Sequence, residues 1–214
     1  MLSNKKTLEA VTIMGEVFPD ATTSLVADSD FHFLIAVILS AQATDKSVNL
    51  ATPALFARYP TSKELAQATP NEVEEYIKTI GLYRNKAKYL VQCAQALEQK
   101  FAGVVPQTLK ELMSLPGVGR KTADVVLAER FKIPAIAVDT HVSRVSKRLG
   151  IVRQSDDVLT IEQTLMKKLP KEIWIAAHHR MIYWGRHQCM ARSPKCITCP
   201  LIDLCNFGQK QLKQ

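Results

Sequence analysis

Apolar residues recur along most of this 214-residue chain at the three- and four-residue spacing of amphipathic helices. In the first such segment one helical face carries Leu8, Val11, Met14 and Phe18. That helix is predicted to stop before Pro19, since proline interrupts a helix. No segment shows the sustained two-residue alternation of a half-buried strand. The pattern therefore predicts an all-α fold.

Other helices are marked by capping and breaking residues. Thr69 begins one as a capping box, with Pro70 at the first helical position and Glu72 at the third, and we expect it to end at Gly81. Helical spacing predicts a further one that stops at Gly103. The segments read as helices after Gly81 are RNKAKYLVQCAQALEQKF, TLKELMSL, THVSRVSKRLG and KEIWIAAHHRMIYWGRHQC.

The longest apolar run, FHFLIAVILSAQA over residues 31–43, is too short to span a bilayer and predicts a buried core helix. After it, Asp45 is expected to cap a helix beginning KSVNLA. The apolar connector KIPAIAVD, residues 132–139, is the expected crossing point between two helical lobes.

Composition indicates a folded protein with a polyanionic partner. The hydrophobic content of 47% is spread along the chain, which excludes a disordered protein. The net charge of +8 favours nucleic acid, although many basic proteins bind none. Because the first residues carry neither a signal-peptide core nor transit-peptide character, we expect a cytoplasmic protein.

Four of the five cysteines are close together near the end of the sequence, in a C-x6-C-x2-C-x5-C pattern: Cys189, Cys196, Cys199 and Cys205. In a reducing compartment such thiolates bind zinc or an iron–sulfur cluster, and disulfides are the weaker alternative. Zinc sites usually pair two short spacings and only one occurs here, so the pattern favours a [4Fe-4S] cluster. The fifth cysteine, Cys93, is expected to be a small buried hydrophobe.

Two cations, Arg192 and Lys195, lie in the loop between the first two of these cysteines. A cluster would hold this loop rigid and present both side chains to phosphate. The alternative is that they are solvated loop charges.

The stretch LPGVGRKTAD, residues 115–124, runs from a tight turn directly into a helix. Gly117 and Gly119 allow close backbone approach, and the helix start offers unpaired amides beside Arg120. The stretch predicts a clamp on a nucleic acid backbone, with a plain helix-to-helix turn as the alternative.

Lys121 follows at the same helix start, where the helix dipole and Arg120 disfavour its ammonium form. A neutral amine is a nucleophile, whereas the simpler interpretation is one more phosphate contact. Asp139, which precedes a helix, fits an N-cap and would have its carboxylate direction fixed. Such a carboxylate beside a nucleophilic amine could stabilise cationic character at a sugar carbon.

Five blocks in collinear order carry a family resemblance: LSAQATD, GLYRNKAK, LPGVGRKTA, AVDTH and the four-cysteine segment. Together they resemble endonuclease III, the bifunctional DNA glycosylase and abasic-site lyase family of the helix-hairpin-helix superfamily. The match extends from near the first residue to Cys205.

The resemblance implies two helical lobes with a DNA-binding cleft between them. One is a six-helix barrel over residues 22–132, with the helix-hairpin-helix at about 108–131. The other is an iron–sulfur domain formed by residues 1–21 and 133–214, with its cluster loop at 189–205.

It also implies the chemistry. An oxidised pyrimidine is flipped out of duplex DNA. Lys121 matches the Schiff-base lysine that attacks C1′ and permits β-elimination on the 3′ side, and Asp139 matches the catalytic aspartate.

The remaining matches concern DNA contacts. Gln42 and Leu82 match the residues that fill the gap left by the flipped nucleotide, and His141 matches a histidine near the DNA backbone. The cluster loop matches a phosphate-contacting loop, which strengthens the interpretation of its cations and of iron. Asp124 departs from several relatives, which have Asn, and is expected to affect the protonation of Lys121.

Two alternatives remain. An adenine- or thymine-mismatch glycosylase is disfavoured by Lys121, and the former also by a chain that ends soon after Cys205. A non-catalytic DNA-binding protein would not require Lys121 and Asp139 together. We further expect a monomer, associated with the nucleoid of a bacterium or archaeon.

Overall fold

In a computed structural model, which describes residues 1–213, helices are the regular elements of the described chain. They are α1 (Asn4–Val17), α2 (Asp30–Ser40), α3 (Asp45–Arg58), α4 (Ser62–Gln67), α5 (Pro70–Ile77), α6 (Tyr83–Phe101), α7 (Leu109–Leu112), α8 (Arg120–Phe131), α9 (Thr140–Leu149), α10 (Val158–Lys168), α11 (Trp174–His187) and α12 (Asn206–Gln211). Two 3-10 turns lie at Lys171–Ile173 and Ile202–Leu204. The predicted all-α class is confirmed.

The chain divides into two compact units. One is Ser24–Ile133, and the other joins Met1–Thr23 to the residues from Pro134 onward. Each unit has its own cluster of buried apolar side chains.

The unit formed by Ser24–Ile133 is built around α2, the core helix that the apolar run 31–43 predicted. The helix ends at Ser40, however, and Ala41 and Gln42 are exposed. Residues 31–39 of this helix are all buried, and it packs against α3, α6 and α8. Ser29 caps it by accepting a hydrogen bond from the amide of His32 at 3.0 Å. Burying a leucine such as Leu34 or Leu39 contributes about 1.5–3 kcal/mol, so α2 is a rigid support for the turn that follows it.

In the other unit, α11 packs against α1 and α9. Met14 of α1 and Trp184 of α11 are buried, and Phe18 meets Trp184 edge-on at 6.0 Å between ring centroids. A Cβ atom on Gly15 would lie 2.5 Å from the guanidinium of Arg180, so a side chain at position 15 would displace the Arg180 side chain.

Two sequence expectations are corrected, and two helices had not been predicted. Asp45 does not cap α3, because the hydroxyl of Thr44 accepts the amide hydrogen of Ser47 at 3.2 Å; the Asp45 carboxylate accepts from Ser24 instead. The capping box at Thr69 is present, but α5 ends at Ile77 rather than Gly81, since the amide of Ile80 turns back to the carbonyl of Ile77 at 2.9 Å. Helices α4 and α10 were missed, although both begin at capping residues.

Within residues 1–213, no helix combines the length and the apolar character needed to cross a membrane.

Candidate functional site

The glycine-containing turn between α7 and α8 depends on Gly117. Its φ is +79°, and an added Cβ atom would lie 2.9 Å from the Cβ of Tyr89. The amide of Val118 bonds to the carbonyl of Leu115 at 3.1 Å and closes the turn. A side chain at position 117 is therefore excluded twice, by backbone conformation and by the packing of α6 against the turn.

Gly119 acts differently, because it leaves the start of α8 open. It is the N-cap residue with ordinary extended backbone, and no side chain caps the helix there. A Cβ atom on Gly119 would meet nothing within 4 Å. The first turn of α8 carries no acidic residue. The positive end of the α8 dipole is therefore available to an anion.

Lys121 occupies the first turn of α8 with its side chain exposed. Asp124, three residues further along the same helix, is buried with 4% of its surface exposed. The two residues thus differ in environment: the amine is accessible to a substrate, and the carboxyl group belongs to the interior of its unit.

The residues before and after Asp139 hold its backbone and its carboxylate in place. Its carboxylate caps α9 by accepting a hydrogen bond from the amide of Val142 at 2.7 Å. The preceding residues 135–138 are all buried. The capping role expected from the sequence is therefore present, and the partly buried carboxylate keeps one orientation.

His141 lies in the first turn of α9 and packs closely against α11. A Cβ atom on Gly185 would lie 2.7 Å from the Cβ of His141. Arg144 donates to His141 Nδ1 at 3.1 Å and to the carbonyl of Gly185 at 2.8 Å. Burial lowers the pKa of His141.

Gln42 and Leu82 share an uncommon backbone conformation. Their φ angles are +55° and +61°, in the left-handed region that side chains rarely adopt. A methyl group on Gly81 would lie 3.9 Å from the carbonyl oxygen of Gln42, so the two turns are neighbours. Leu82 is 58% exposed. Such conformations cost about 1–3 kcal/mol each and are concentrated at functional sites.

The four clustered cysteines line one pocket in the unit that contains α9 and α11. Its walls also include Val145, Leu149, Trp184, Ile202 and Phe207. All four of these cysteines are free thiols. Among residues 1–213, no three cysteine, histidine or acidic side chains converge closely enough to hold a single metal ion. Four cysteines around an iron–sulfur cluster can each bind a different iron, so they need not converge on one point.

The surroundings of these thiols fit a buried cluster. Burial raises the pKa of Cys199 and Cys205, and neighbouring thiols raise it further, so bound iron would be needed to keep them as thiolates. Donors are in place for thiolates. The amide of Gly208 donates to Cys205 Sγ at 3.3 Å, and Arg148 donates to Cys189 Sγ at 3.5 Å.

The loop between Cys189 and Cys196 is held by its backbone. Arg148 donates to the carbonyls of Met190 and Ala191 at 2.7 and 2.9 Å. The side-chain amide of Gln188 donates to the carbonyl of Lys195 at 2.9 Å, while the Lys195 amide donates to the Gln188 carbonyl at 3.0 Å. The side chains of Arg192 and Lys195 are both exposed. The loop therefore presents two cations from an ordered backbone.

Three residues with structural contacts near the predicted site residues were not predicted from the sequence: Arg144, Arg148 and Lys86. Arg144 and Arg148 are four residues apart on α9, so they share a helical face, which was the available signal. Buried Lys86 carried no signal beyond its place in GLYRNKAK. Cys93, by contrast, is buried on α6 as expected, and burial raises its pKa to about 12.

Comparison with protein families gives two matches. Residues 35–171 match the HhH-GPD superfamily of base excision DNA repair proteins, and residues 189–205 match the iron–sulfur binding domain of endonuclease III. Endonuclease III of Bacillus subtilis is 48% identical over 100% of this chain and 98% of its own length. Endonuclease III of Escherichia coli K12 is 43% identical over 98% of this chain and 99% of its own length.

Solved structures agree. A non-covalent endonuclease III–DNA complex is similar with a TM-score of 0.96 at 50% identity, covering 100% of both chains. A trapped covalent endonuclease III–DNA intermediate, an estranged-adenine complex, has a TM-score of 0.95 at 50% identity, over 99% of this chain and 100% of that one. A thermostable thymine-DNA glycosylase shares the fold at 23% identity. Its TM-score is 0.87, and the match covers 97% of this chain and 98% of that one.

These matches define the chain first as a base excision DNA repair protein of the HhH-GPD superfamily. Within that class it belongs to the endonuclease III family. The predicted enzyme class, a bifunctional DNA glycosylase and abasic-site lyase, is confirmed. The predicted [4Fe-4S] cofactor is confirmed by the iron–sulfur domain.

The two glycines of the turn give a matched pair of variants. Gly117→Ala is expected to lower the free energy of unfolding by more than about 1 kcal/mol, because it combines a positive φ with a 2.9 Å contact. Gly119→Ala should change it by less than half as much, since the added methyl group meets nothing. Denaturant unfolding of both measures the difference, and equal losses would contradict the assigned roles.

The lowered pKa of His141 predicts a pH dependence of stability. An unfolded chain has the ordinary histidine pKa of 6.5, so the unfolded state takes up a proton first as the pH falls. The free energy of unfolding should therefore decrease below about pH 6.5, and His141→Gln should reduce that decrease. Unfolding curves between about pH 7.5 and 5.5 measure it, with His187→Gln, exposed on α11, as the control. An unchanged decrease in His141→Gln would contradict the prediction.

Proposed function

We propose that this enzyme excises oxidised pyrimidines from duplex DNA and then cuts the strand at the abasic site, with Lys121 as its nucleophile. The observation that carries the proposal is the exposed Lys121 amine at the uncapped start of α8, directly after a turn that admits close backbone approach. A phosphate held by that helix start would bring the adjacent sugar to the amine. Endonuclease III relatives and their DNA complexes support the assignment.

In the proposed reaction the neutral Lys121 amine attacks C1′ of the deoxyribose. The glycosidic bond breaks, and the base leaves with the bonding electrons and acquires a proton. Loss of the amine proton and opening of the sugar ring give a Schiff base. Removal of a proton from C2′ then expels the 3′ phosphate by β-elimination, and hydrolysis releases Lys121.

Asp139 is proposed to stabilise the cationic sugar as the base departs and to assist proton transfers. Its cap bond to the Val142 amide holds the carboxylate in one orientation without neutralising its charge. A charge that needs no reorientation during the reaction is effective in stabilising a transition state. The cap bond and the catalytic role are therefore compatible.

Gln42 and Leu82 are proposed to fill the space that the extruded nucleotide leaves. Both lie on tight turns with positive φ, and the turns are adjacent. The exposed Leu82 side chain has the apolar character needed to replace base stacking. Extrusion costs a few kcal/mol, which an inserted side chain offsets in part.

The remaining predicted DNA residues are proposed to contact the phosphate backbone. They are Gly117 and Gly119 with Arg120 at the start of α8, His141 in the first turn of α9, and the loop cations Arg192 and Lys195. Their chemistry suits phosphate without reading the base sequence, because backbone amides and cations recognise charge.

Cys189, Cys196, Cys199 and Cys205 are proposed to hold the [4Fe-4S] cluster. When bound, the cluster supplies iron–thiolate bonds that fix the loop carrying Arg192 and Lys195. The protein adds the hydrogen bonds from Arg148 to the loop carbonyls. No electron transfer is required for base excision.

We also propose that the predicted barrel domain (22–132) and iron–sulfur domain (1–21 and 133–214) correspond to the two compact units. The boundaries of the units, at Ser24 and Ile133, lie within two residues of the predicted ones. The enzyme is further proposed to act as a monomer on double-stranded DNA in the nucleoid of a bacterial cell.

Borohydride trapping on duplexes with thymine glycol or an abasic site tests the nucleophile. Wild type should form a covalent complex with both substrates. Lys121→Ala should form none while keeping most of its duplex affinity, because one charge is a small share of the interface. Strand cleavage at the wild-type rate by Lys121→Ala would contradict the proposal.

Asp139→Asn separates catalysis from capping in the same assay. Asparagine still caps a helix, so helix content should stay unchanged while base release slows. If helix content collapsed instead, capping alone would account for Asp139.

The salt dependence of DNA binding tests the loop cations. Replacing Arg192 and Lys195 together by Ala should lower duplex affinity and reduce the slope of log K against log salt by up to about 1.8. Lys100→Ala, at the exposed end of α6, is the control and should keep the wild-type slope. A double variant with the wild-type slope would show that these side chains are solvated charges.

A further inference from the structure

Lys86 is a buried charged residue with no role in the reaction proposed above. It lies in the first turn of α6 and is only 5% exposed. Its Nζ atom donates a hydrogen bond to the carbonyl of Leu39 at 2.9 Å. Burial lowers the pKa of Lys86. Because burying an amine is costly, its position calls for a physical reason.

The acceptor explains part of the placement. Leu39 lies in the last turn of α2, where a helix leaves carbonyl groups without an amide partner. In a longer helix the amide of Ala43 would bond to Leu39, but it bonds to Ser40 at 3.1 Å instead. Lys86 supplies the missing donor, and the chain leaves α2 to enter the turn that carries Gln42.

Lys86 is also connected to the second turn. Its backbone amide donates to the carbonyl of Leu82 at 3.1 Å, which is the first hydrogen bond of α6. The same residue thus bonds through its side chain to the helix that precedes Gln42, and through its backbone to Leu82. The strained φ angles of Gln42 and Leu82 require support from their surroundings.

We propose that Lys86 is a positioning residue for damaged-base extrusion: its buried amine binds the Leu39 carbonyl in the last turn of α2 and thereby fixes Gln42 relative to Leu82. The inference rests on the proposed gap-filling role of these two residues. Lys86 contacts neither the reacting sugar nor the base in this scheme, so its effect on the reaction is indirect.

The test compares Lys86→Met with wild type. Both enzymes are used only when their iron–sulfur absorbance shows that the cluster is fully loaded. Methionine keeps the length and apolar stem of lysine but removes the donor. Single-turnover excision of thymine glycol should slow by roughly 10- to 100-fold, since a misplacement of about 1 Å has effects of that size. The fluorescence increase of 2-aminopurine placed opposite the lesion should fall with it, while affinity for undamaged duplex stays at the wild-type value.

Coupling to Gln42 separates positioning from a general loss of structure. In a Gln42→Ala background, Lys86→Met should cost little further rate, because the side chain that it positions is already absent. Lys100→Met, at the far end of α6, is the control and should leave the rate of each background unchanged.

Three outcomes would count against the inference or its premise. The inference is overturned if Lys86→Met reacts at the rate of Lys100→Met. It is also overturned if Lys86→Met loses the same rate with and without Gln42.

If Lys86→Met folds poorly, Lys86→Arg replaces it, because arginine keeps a donor but moves it. The same dependence on Gln42 is then expected, with a smaller loss of rate. Failure of wild type to excise thymine glycol would contradict the proposed function instead, which keeps the two failures distinct.

Discussion

Backbone groups left unpaired at helix ends are the constraint on which the functional part of this molecule depends. A helix ends with several amides or carbonyls that need partners, and three helix ends of this chain differ in how that need is met. Asp139 caps α9 with its own carboxylate. Gly119 leaves the start of α8 without a side-chain cap, and the amine of Lys86 binds a terminal carbonyl of α2. These three helix ends carry a fixed carboxylate, a helix start without a side-chain cap, and a turn bearing Gln42.

Rigid packing holds these helix ends in place. The completely buried stretch 31–39 of α2 leaves the chain little freedom before its turn. On α9, Arg144 and Arg148 bind carbonyls on α11 and in the cysteine loop, so the helix capped by Asp139 also organises the iron–sulfur region. Each helix end is thereby held in one position within its own unit.

The fold alone does not assign the reaction of this chain. A thymine-DNA glycosylase shares the architecture with a TM-score of 0.87 at 23% identity. This similarity shows the common fold and says nothing about the reaction of this chain. The assignment of this chain therefore depends on full-length similarity to endonuclease III and on particular side chains. A non-catalytic DNA-binding protein would not require Lys121 at the start of α8 and Asp139 at the start of α9 together.

The sequence by itself determined the helical class, the buried run of α2, the capping box at Thr69 and the cysteine framework, because each depends on local periodicity or spacing. It also led to Lys121 and Asp139, since a turn next to a helix start is a local feature. Tertiary structure decided what depends on partners distant in the chain. Lys86 meets Leu39 across 47 positions, and Asp45 lost its expected capping role to Thr44 while binding Ser24. No local pattern encodes these pairings, because a buried donor is placed by the packing of helices rather than by its neighbours in sequence.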